Sequence, residues 1–79
     1  MTRLALVRRS RGIAQIELAR RLGISATVIA QVERGDRRAY PKLRRSLSEA
    51  FGVPVEALFD ADGWPLLVDV EHVLAVGGK

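Results

Sequence analysis

Residues 15–35 read QIELARRLGISATVIAQVERG, in which two short helical patterns are separated by a single glycine, Gly23. Glycine readily takes the positive φ that ends a helix. Ala19 is small enough for two crossing helices to touch. The apolar positions recur at helical spacing on either side of the glycine, at Leu18, Leu22, Ile29 and Val32. The pattern predicts two helices that cross through a tight turn closed by Ile24.

Start and stop signals around this stretch predict five helices in all. The residues suited to begin helices are Thr2, Ser25, Pro41 and Pro54. Ala14, just before the second helix, cannot cap it, and the missing cap should lower the free energy of unfolding by about 1 kcal/mol. The predicted helices run from Arg3 to Arg11, from Gln15 to Leu22, from Ser25 to Arg34, from Pro41 to Phe51 and briefly after Pro54. The last two should bury Leu43, Leu47, Ala50, Phe51, Val55, Leu58 and Phe59.

Length and composition limit the classes of protein that the chain can belong to. Its 79 residues suffice for one small domain, and the absence of cysteine excludes disulfides and thiolate metal sites. No apolar run approaches the roughly 20 residues of a membrane span, and no secretion-type leader precedes the first helix. These features favour a cytoplasmic protein.

The charge is divided unevenly along the chain. Residues 1–48 hold 12 basic and 3 acidic residues, and residues 49–79 hold 1 basic and 6 acidic residues. The two parts therefore carry net charges of +9 and −5, which give the +4 of the whole chain. Such segregation favours a polyanion-binding surface in the first part over a merely solvated helical surface.

The last residues form a distinct segment. Residues 60–65 have the composition of a turn, and residues 66–76 are strongly apolar with a period that fits either a strand or a helix. Their β-branched residues slightly favour a strand, which needs a partner to be stable. We therefore predict a domain at 1–60 and a tail at 61–79 that mediates dimerisation. The residues expected at the dimer interface are Trp64, Leu66, Leu67, Val68, Val70 and Val73.

From Arg3 to Phe59 the chain resembles the Cro/CI-type helix-turn-helix domain of phage repressors and related bacterial regulators, the XRE-like group. The matching pieces are Val7-Arg8, Arg11 to Gln15, Glu17 to Ala19, Leu22 to Ser25, Ile29, Val32 to Gly35, Phe51 to Val53 and Leu58-Phe59. The resemblance implies an all-α, five-helix, lambda-repressor-like fold. It also implies binding of double-stranded operator DNA as a homodimer, without a cofactor.

The resemblance assigns roles to particular residues. It implies a structural ion pair between Arg8 and Glu33 that positions the third helix. Phosphate contacts are expected from Gln15, Ser25, Arg37, Arg38 and Lys42, and base contacts in the major groove from Ala26, Thr27, Val28, Ala30 and Gln31.

The base-contacting residues are mostly apolar. Only Gln31 can make a bidentate contact to adenine, and only Thr27 adds a hydroxyl group. The other three, Ala26, Val28 and Ala30, can touch thymine methyl groups but donate no hydrogen bond. Specificity should therefore depend on methyl contacts, groove shape and dimer spacing.

No catalytic constellation is present, and the single histidine, His72, has no metal-ligand spacing around it. We therefore expect that the protein is not an enzyme, and the resemblance implies a bacterial or phage transcriptional regulator, acting as a repressor. Two alternatives remain open. In one, the chain is an antitoxin-like regulator, whose acidic, apolar tail blocks a basic toxin while its amino-terminal domain represses its own operon. In the other, the helix-turn-helix is an interaction module without DNA binding, with Val28 and Ala30 forming its docking face.

Overall fold

The computed structural model describes residues 1–68, in which five helices and no sheet are present. The helices are α1 (Arg3–Ser10), α2 (Gln15–Leu22), α3 (Ala26–Glu33), α4 (Pro41–Phe51) and α5 (Val55–Leu58). The all-α, five-helix prediction is confirmed, and the predicted helix ends agree within one or two residues. Within this range no helix has the length and apolar character required to cross a membrane.

The turn between α2 and α3 forms as the sequence predicts. Gly23 ends α2 in the left-handed conformation, with φ of 69° and ψ of 31°. The amide of Ile24 then donates to the carbonyl of Ala19 at 3.0 Å. Ser25 begins α3 by accepting a hydrogen bond from the amide of Thr27 at 3.0 Å. The turn thus brings α3 back across α2 with its first amide groups partly capped.

The core lies between all five helices and consists of leucine, isoleucine, valine, alanine and phenylalanine side chains. Its fully buried members are Leu4, Leu18, Ala19, Ile29, Val32, Ala39, Leu43, Leu47, Phe51, Leu58 and Phe59. The prediction that Ala50 joins them is wrong, because this residue is exposed. At about 100° per residue, Ala50 lies roughly 60° from the centre of the stripe formed by Leu43, Leu47 and Phe51.

The segment after α5 folds back onto the domain. The amide of Leu66 donates to the carbonyl of Leu58 at 2.9 Å, and Phe59 and Pro65 form an isolated antiparallel bridge. Leu67 forms a second antiparallel bridge with Thr2 near the amino terminus. Residues 66–68 therefore find a pairing partner within their own chain. The strand-or-helix prediction for residues 69–76 lies outside the described residues.

Further contacts join the predicted tail to the predicted domain. The amide of Arg3 donates to the carbonyl of Leu66 at 2.8 Å, and that of Val68 to Met1 at 2.9 Å. The amide of Ala39, in the loop before α4, donates to the carbonyl of Gly63 at 2.9 Å. The division at residue 60 stays a prediction, and residues 63–68 are part of the packing of residues 1–59.

Candidate nucleic-acid interface

The carboxyl end of α3 is fixed by a cluster of hydrogen bonds around Glu33. The guanidinium of Arg8 donates through Nε to Oε2 and, at 3.0 Å, through Nη2 to Oε1 of Glu33. Gln15, the first residue of α2, donates from Nε2 to the same Oε1 at 2.9 Å. The expected ion pair is therefore present, and it includes a third partner from α2.

The ion pair is buried and its polar atoms are satisfied. Arg8 is 8% exposed and Glu33 is 6% exposed. The remaining arm of Arg8, Nη1, donates to the carbonyl of Ile13 at 2.6 Å. Among the described residues no buried side-chain nitrogen or oxygen lacks a hydrogen-bond partner. A buried pair with complete hydrogen bonding holds its elements in one arrangement, because any other arrangement would leave a charge unpaired.

Thr2 adds a contact that the sequence reasoning missed. Its hydroxyl accepts from the amide of Ala5 at 3.2 Å, as an α1 cap should, and also donates to the carbonyl of Glu33 at 2.8 Å. Thr2 is only 1% exposed. The capping signal predicted the first bond, but no local pattern indicates the second, whose partners are 31 positions apart. The amino terminus, α1 and α2 thus all position the end of α3.

The five residues predicted to contact bases differ in exposure. Thr27 is exposed, whereas Ala30 and Gln31 are half-buried. Ala26 and Val28 are also half-buried, and both pack against the core. Only part of each of these two side chains is therefore accessible for the expected base contacts. Thr27 and Gln31 carry the polar side-chain groups of this face of α3.

The predicted phosphate-contacting residues lie at helix starts and in the loop after α3. Gln15 begins α2, Ser25 caps α3, and Lys42 is in the first turn of α4. Arg37 and Arg38 are exposed in the loop between α3 and α4. Helix amino termini and cations both favour phosphate. This arrangement of helix starts and cations suits contacts to the phosphate backbone of a nucleic acid on both sides of α3.

Both loop arginines have partners within the chain. Nη1 of Arg37 donates to Oε1 of Gln31 at 3.1 Å. The guanidinium carbon of Arg38 lies 5.9 Å from the ring centroid of Trp64, which is within cation–π range. The loop cations are therefore oriented by α3 on one side and by the segment after α5 on the other.

The residues predicted at a dimer interface fall into three groups. Trp64 and Leu67 are exposed, at 42% and 65%, while Leu66 and Val68 are half-buried. Val70 and Val73 lie outside the described residues. Met1, which pairs with Val68, is 60% exposed. Leu67 and Met1 therefore present apolar surface beside the bridge between the two ends of the described chain.

A family model described as helix-turn-helix, HTH_3, matches residues 4–58, which is more than two thirds of the chain. No curated protein and no solved structure matches the chain. The matched residues cover most of α1 to α5, including the Arg8–Glu33 pair and the α2–α3 turn. The chain therefore belongs to the Cro/CI-type (XRE) helix-turn-helix family of DNA-binding transcriptional regulators.

Proposed function

We propose that the protein is a sequence-specific repressor that binds double-stranded DNA as a homodimer, with α3 in the major groove. It would act in the cytoplasm of a bacterium, encoded by the bacterium or by a phage. The observation that carries this proposal is the fixation of α3. Thr2, Arg8 and Gln15 all hold Glu33 at the carboxyl end of the helix, and the exposed cations Arg37 and Arg38 follow in the loop before α4.

A rigid α3 suits readout of DNA because the protein need not order the helix when it binds. Ser25 and Gln15, at the amino ends of α3 and α2, would contact phosphates and set the position of α3 along the groove. Arg37, Arg38 and Lys42 would contact the backbone beyond the other end. Thr27 and Gln31 would then meet base edges, with methyl contacts from the partly buried alanines and Val28.

A homodimer would place two copies of α3 on one face of the duplex. Two-fold symmetry then requires half-sites about 34 Å, or one helical turn, apart. Repression needs no surface beyond the DNA interface, because occupancy of an operator excludes other proteins from it. This is why the net positive residues 1–48 and the family membership favour a repressor.

The first test is selection of bound duplexes from a random DNA pool, followed by binding measurements at several salt concentrations. Three phosphate-contacting cations per protomer give six for a dimer. The logarithm of the binding constant should therefore fall with the logarithm of salt concentration with a slope of about −5. Selected sequences should contain two half-sites in inverted orientation.

Charge-removing variants locate the interface. Arg38→Ala and Lys42→Ala should each reduce the steepness of the salt dependence by about 2 for a dimer. Arg11→Ala is the matched control, because Nη2 of Arg11 donates to the carbonyl of Phe51 at the far end of α4. That end lies about 14 Å along the helix from Lys42. Binding that ignores salt, or an equal effect of all three variants, would contradict the proposal.

The alternative function is binding of a partner protein through the tail. The exposed apolar side chains of Met1 and Leu67 favour it, because such surface is commonly covered by another chain. An antitoxin-like regulator would also bind DNA with a steep salt dependence, and it differs from a simple repressor by a partner protein bound at the tail. A protein that fails to bind any duplex at low salt would support the other alternative, an interaction module that docks through Val28 and Ala30.

A further inference from the structure

The loop after α3 is set by a hydrogen-bonded helix ending that places Arg37 beside Gln31. Gly35 has φ of +80°, and its amide donates to the carbonyl of Val32 at 3.0 Å. The amide of Asp36 donates to the carbonyl of Gln31 at 2.9 Å. This pair of bonds is a Schellman motif, in which glycine supplies the left-handed conformation. The backbone therefore turns back over Gln31 immediately before Arg37.

The side chains complete the same turn. Nη1 of Arg37 donates to Oε1 of Gln31 at 3.1 Å. A primary amide has one oxygen, which accepts hydrogen bonds, and one nitrogen, which donates two. Arg37 takes one of the two lone pairs of that oxygen, so the Gln31 amide keeps one acceptor site and two N–H donors. The neighbouring guanidinium has further N–H groups and a positive charge, and it can only donate.

This pairing changes what Gln31 can recognise. A free glutamine matches adenine, because adenine presents an acceptor at N7 and a donor at N6 in the major groove. Guanine presents acceptors at both N7 and O6. The Gln31–Arg37 pair presents mostly N–H donors and a positive charge, so a base edge with two acceptors is favoured over one that also donates. The pair of side chains is complementary to guanine.

We propose that Arg37 is a specificity-determining residue that switches the preference of Gln31 from adenine to guanine. The inference rests on the proposed function, because it requires α3 to lie in the major groove. Arg37 then does more than attract phosphate. It occupies one acceptor site of the Gln31 amide and adds donors and a positive charge beside it.

The test begins with the operator selected by the unaltered protein. Gln31→Ala identifies the base pair that Gln31 contacts, as the position in each half-site where discrimination is lost. Binding to the four possible base pairs at that position is then measured for three proteins. The unaltered protein should prefer guanine over adenine by about tenfold, and Arg37→Ala should reverse that order.

Arg38→Ala is the matched control, because Arg38 is the adjacent loop cation and its partner is Trp64 rather than Gln31. It should lower affinity for all four operators equally. The side-chain amide signal of Gln31 in a nitrogen–proton NMR spectrum of the free protein should move in Arg37→Ala and stay in place in Arg38→Ala. This readout reports the contact independently of DNA.

The outcomes separate the inference from the proposed function. Absence of DNA binding at low salt overturns the proposed function and the inference together. Normal DNA binding with an adenine preference in the unaltered protein overturns the inference alone. The inference also fails if Arg37→Ala weakens binding equally at every base pair, because Arg37 would then be a phosphate contact only.

Discussion

At the scale of single residues, Glu33 depends on hydrogen bonds from several distant parts of the chain. Its side chain and carbonyl accept from Arg8, Gln15 and Thr2, which belong to three separate parts of the chain. The resemblance to a known family predicted the pairing with Arg8, and local capping rules predicted Thr2 only as a cap. The bond from Thr2 to Glu33 could not be predicted, since it depends on how α1 and α3 cross in three dimensions.

The buried pair predicts a large effect from the loss of one partner. Arg8→Met keeps an unbranched side chain but leaves Glu33 charged and buried, and it should lower the free energy of unfolding by about 3–5 kcal/mol. Arg21→Met removes an exposed pair, in which Nη2 of Arg21 lies 2.7 Å from Oε2 of Glu17. It should cost less than about 0.5 kcal/mol. Urea denaturation followed by circular dichroism measures both.

A double variant keeps the prediction testable if Arg8→Met fails to fold. Replacing both members of a buried pair by apolar side chains is often neutral. Arg8→Met combined with Glu33→Met should therefore recover most of the lost stability. A small effect of Arg8→Met, similar to that of Arg21→Met, would show that water reaches Glu33 and that the ion pair does not fix α3.

At the scale of helices, the sequence predicted beginnings and ends well because the signals are local. Ser25, Pro41 and the left-handed glycines each act within one turn of the residue that carries the signal. The prediction for Ala50 failed because burial at the edge of an apolar stripe depends on what packs against the helix. The partial burial of Ala26 and Val28 likewise depends on packing partners of α3 that lie elsewhere in the chain.

The caps of α2 and α3 predict opposite effects of two substitutions. Ala14 precedes α2 with extended dihedral angles, φ of −72° and ψ of 152°, but accepts no amide bond. Ala14→Ser should therefore stabilise the protein by about 1 kcal/mol, particularly since Glu17 completes a capping box. Ser25→Ala removes an existing cap and should destabilise it by about the same amount.

Thermal unfolding of both variants measures these differences. Ala14→Val is the control, because valine has no more capping ability than alanine. If serine and valine at position 14 gave the same melting temperature, the amides of α2 would already be satisfied by another group. The missing cap at position 14 would then not limit the stability of α2.

At the scale of the whole molecule, the described tail residues and the amino terminus support each other. Pairing of Thr2 with Leu67 joins residues far apart in the chain, and a sequence pattern cannot specify such a partner. The sequence indicated that residues 66–68 favour a strand and need a neighbour. It did not indicate that the neighbour would be Met1 to Arg3 of the same chain, which also carries Thr2 to the end of α3.

The docking of Gly63 on the loop before α4 predicts a stability difference between two glycines. Both Gly63 and Gly52 have positive φ, so alanine at either position should cost roughly 1–2 kcal/mol. A Cβ atom at Gly63 would also lie 2.6 Å from the carbonyl oxygen of Ala39, whereas one at Gly52 meets nothing within 4 Å. Gly63→Ala should therefore be the more destabilising in urea denaturation, and equal costs would contradict the tight docking.

The proposed dimer calls for a test that leaves these supporting contacts intact. A chain ending at Asp60 would lose the bonds from Ala39 to Gly63, from Leu66 to Leu58 and from Val68 to Met1. Loss of DNA binding by that chain could then reflect misplacement of α3. A chain ending at Val68 keeps every one of these bonds and removes only residues 69–79, so it separates folding from association.

A point variant tests the interface without shortening the chain. Leu67 is 65% exposed and takes part in the bridge through its backbone, so Leu67→Glu should leave the melting temperature within about 4 °C of the original. If two tails meet at this side chain, a buried carboxylate would dissociate the dimer. Sedimentation equilibrium should show a monomer. In DNA-binding measurements this monomer should bind one half-site and lose cooperative binding to the full operator.

Leu6→Glu, on α1, is the control, because Leu6 is exposed but not among the predicted interface residues. A dimer that persists in Leu67→Glu, or one that Leu6→Glu dissociates instead, would place the association surface on α1 or elsewhere.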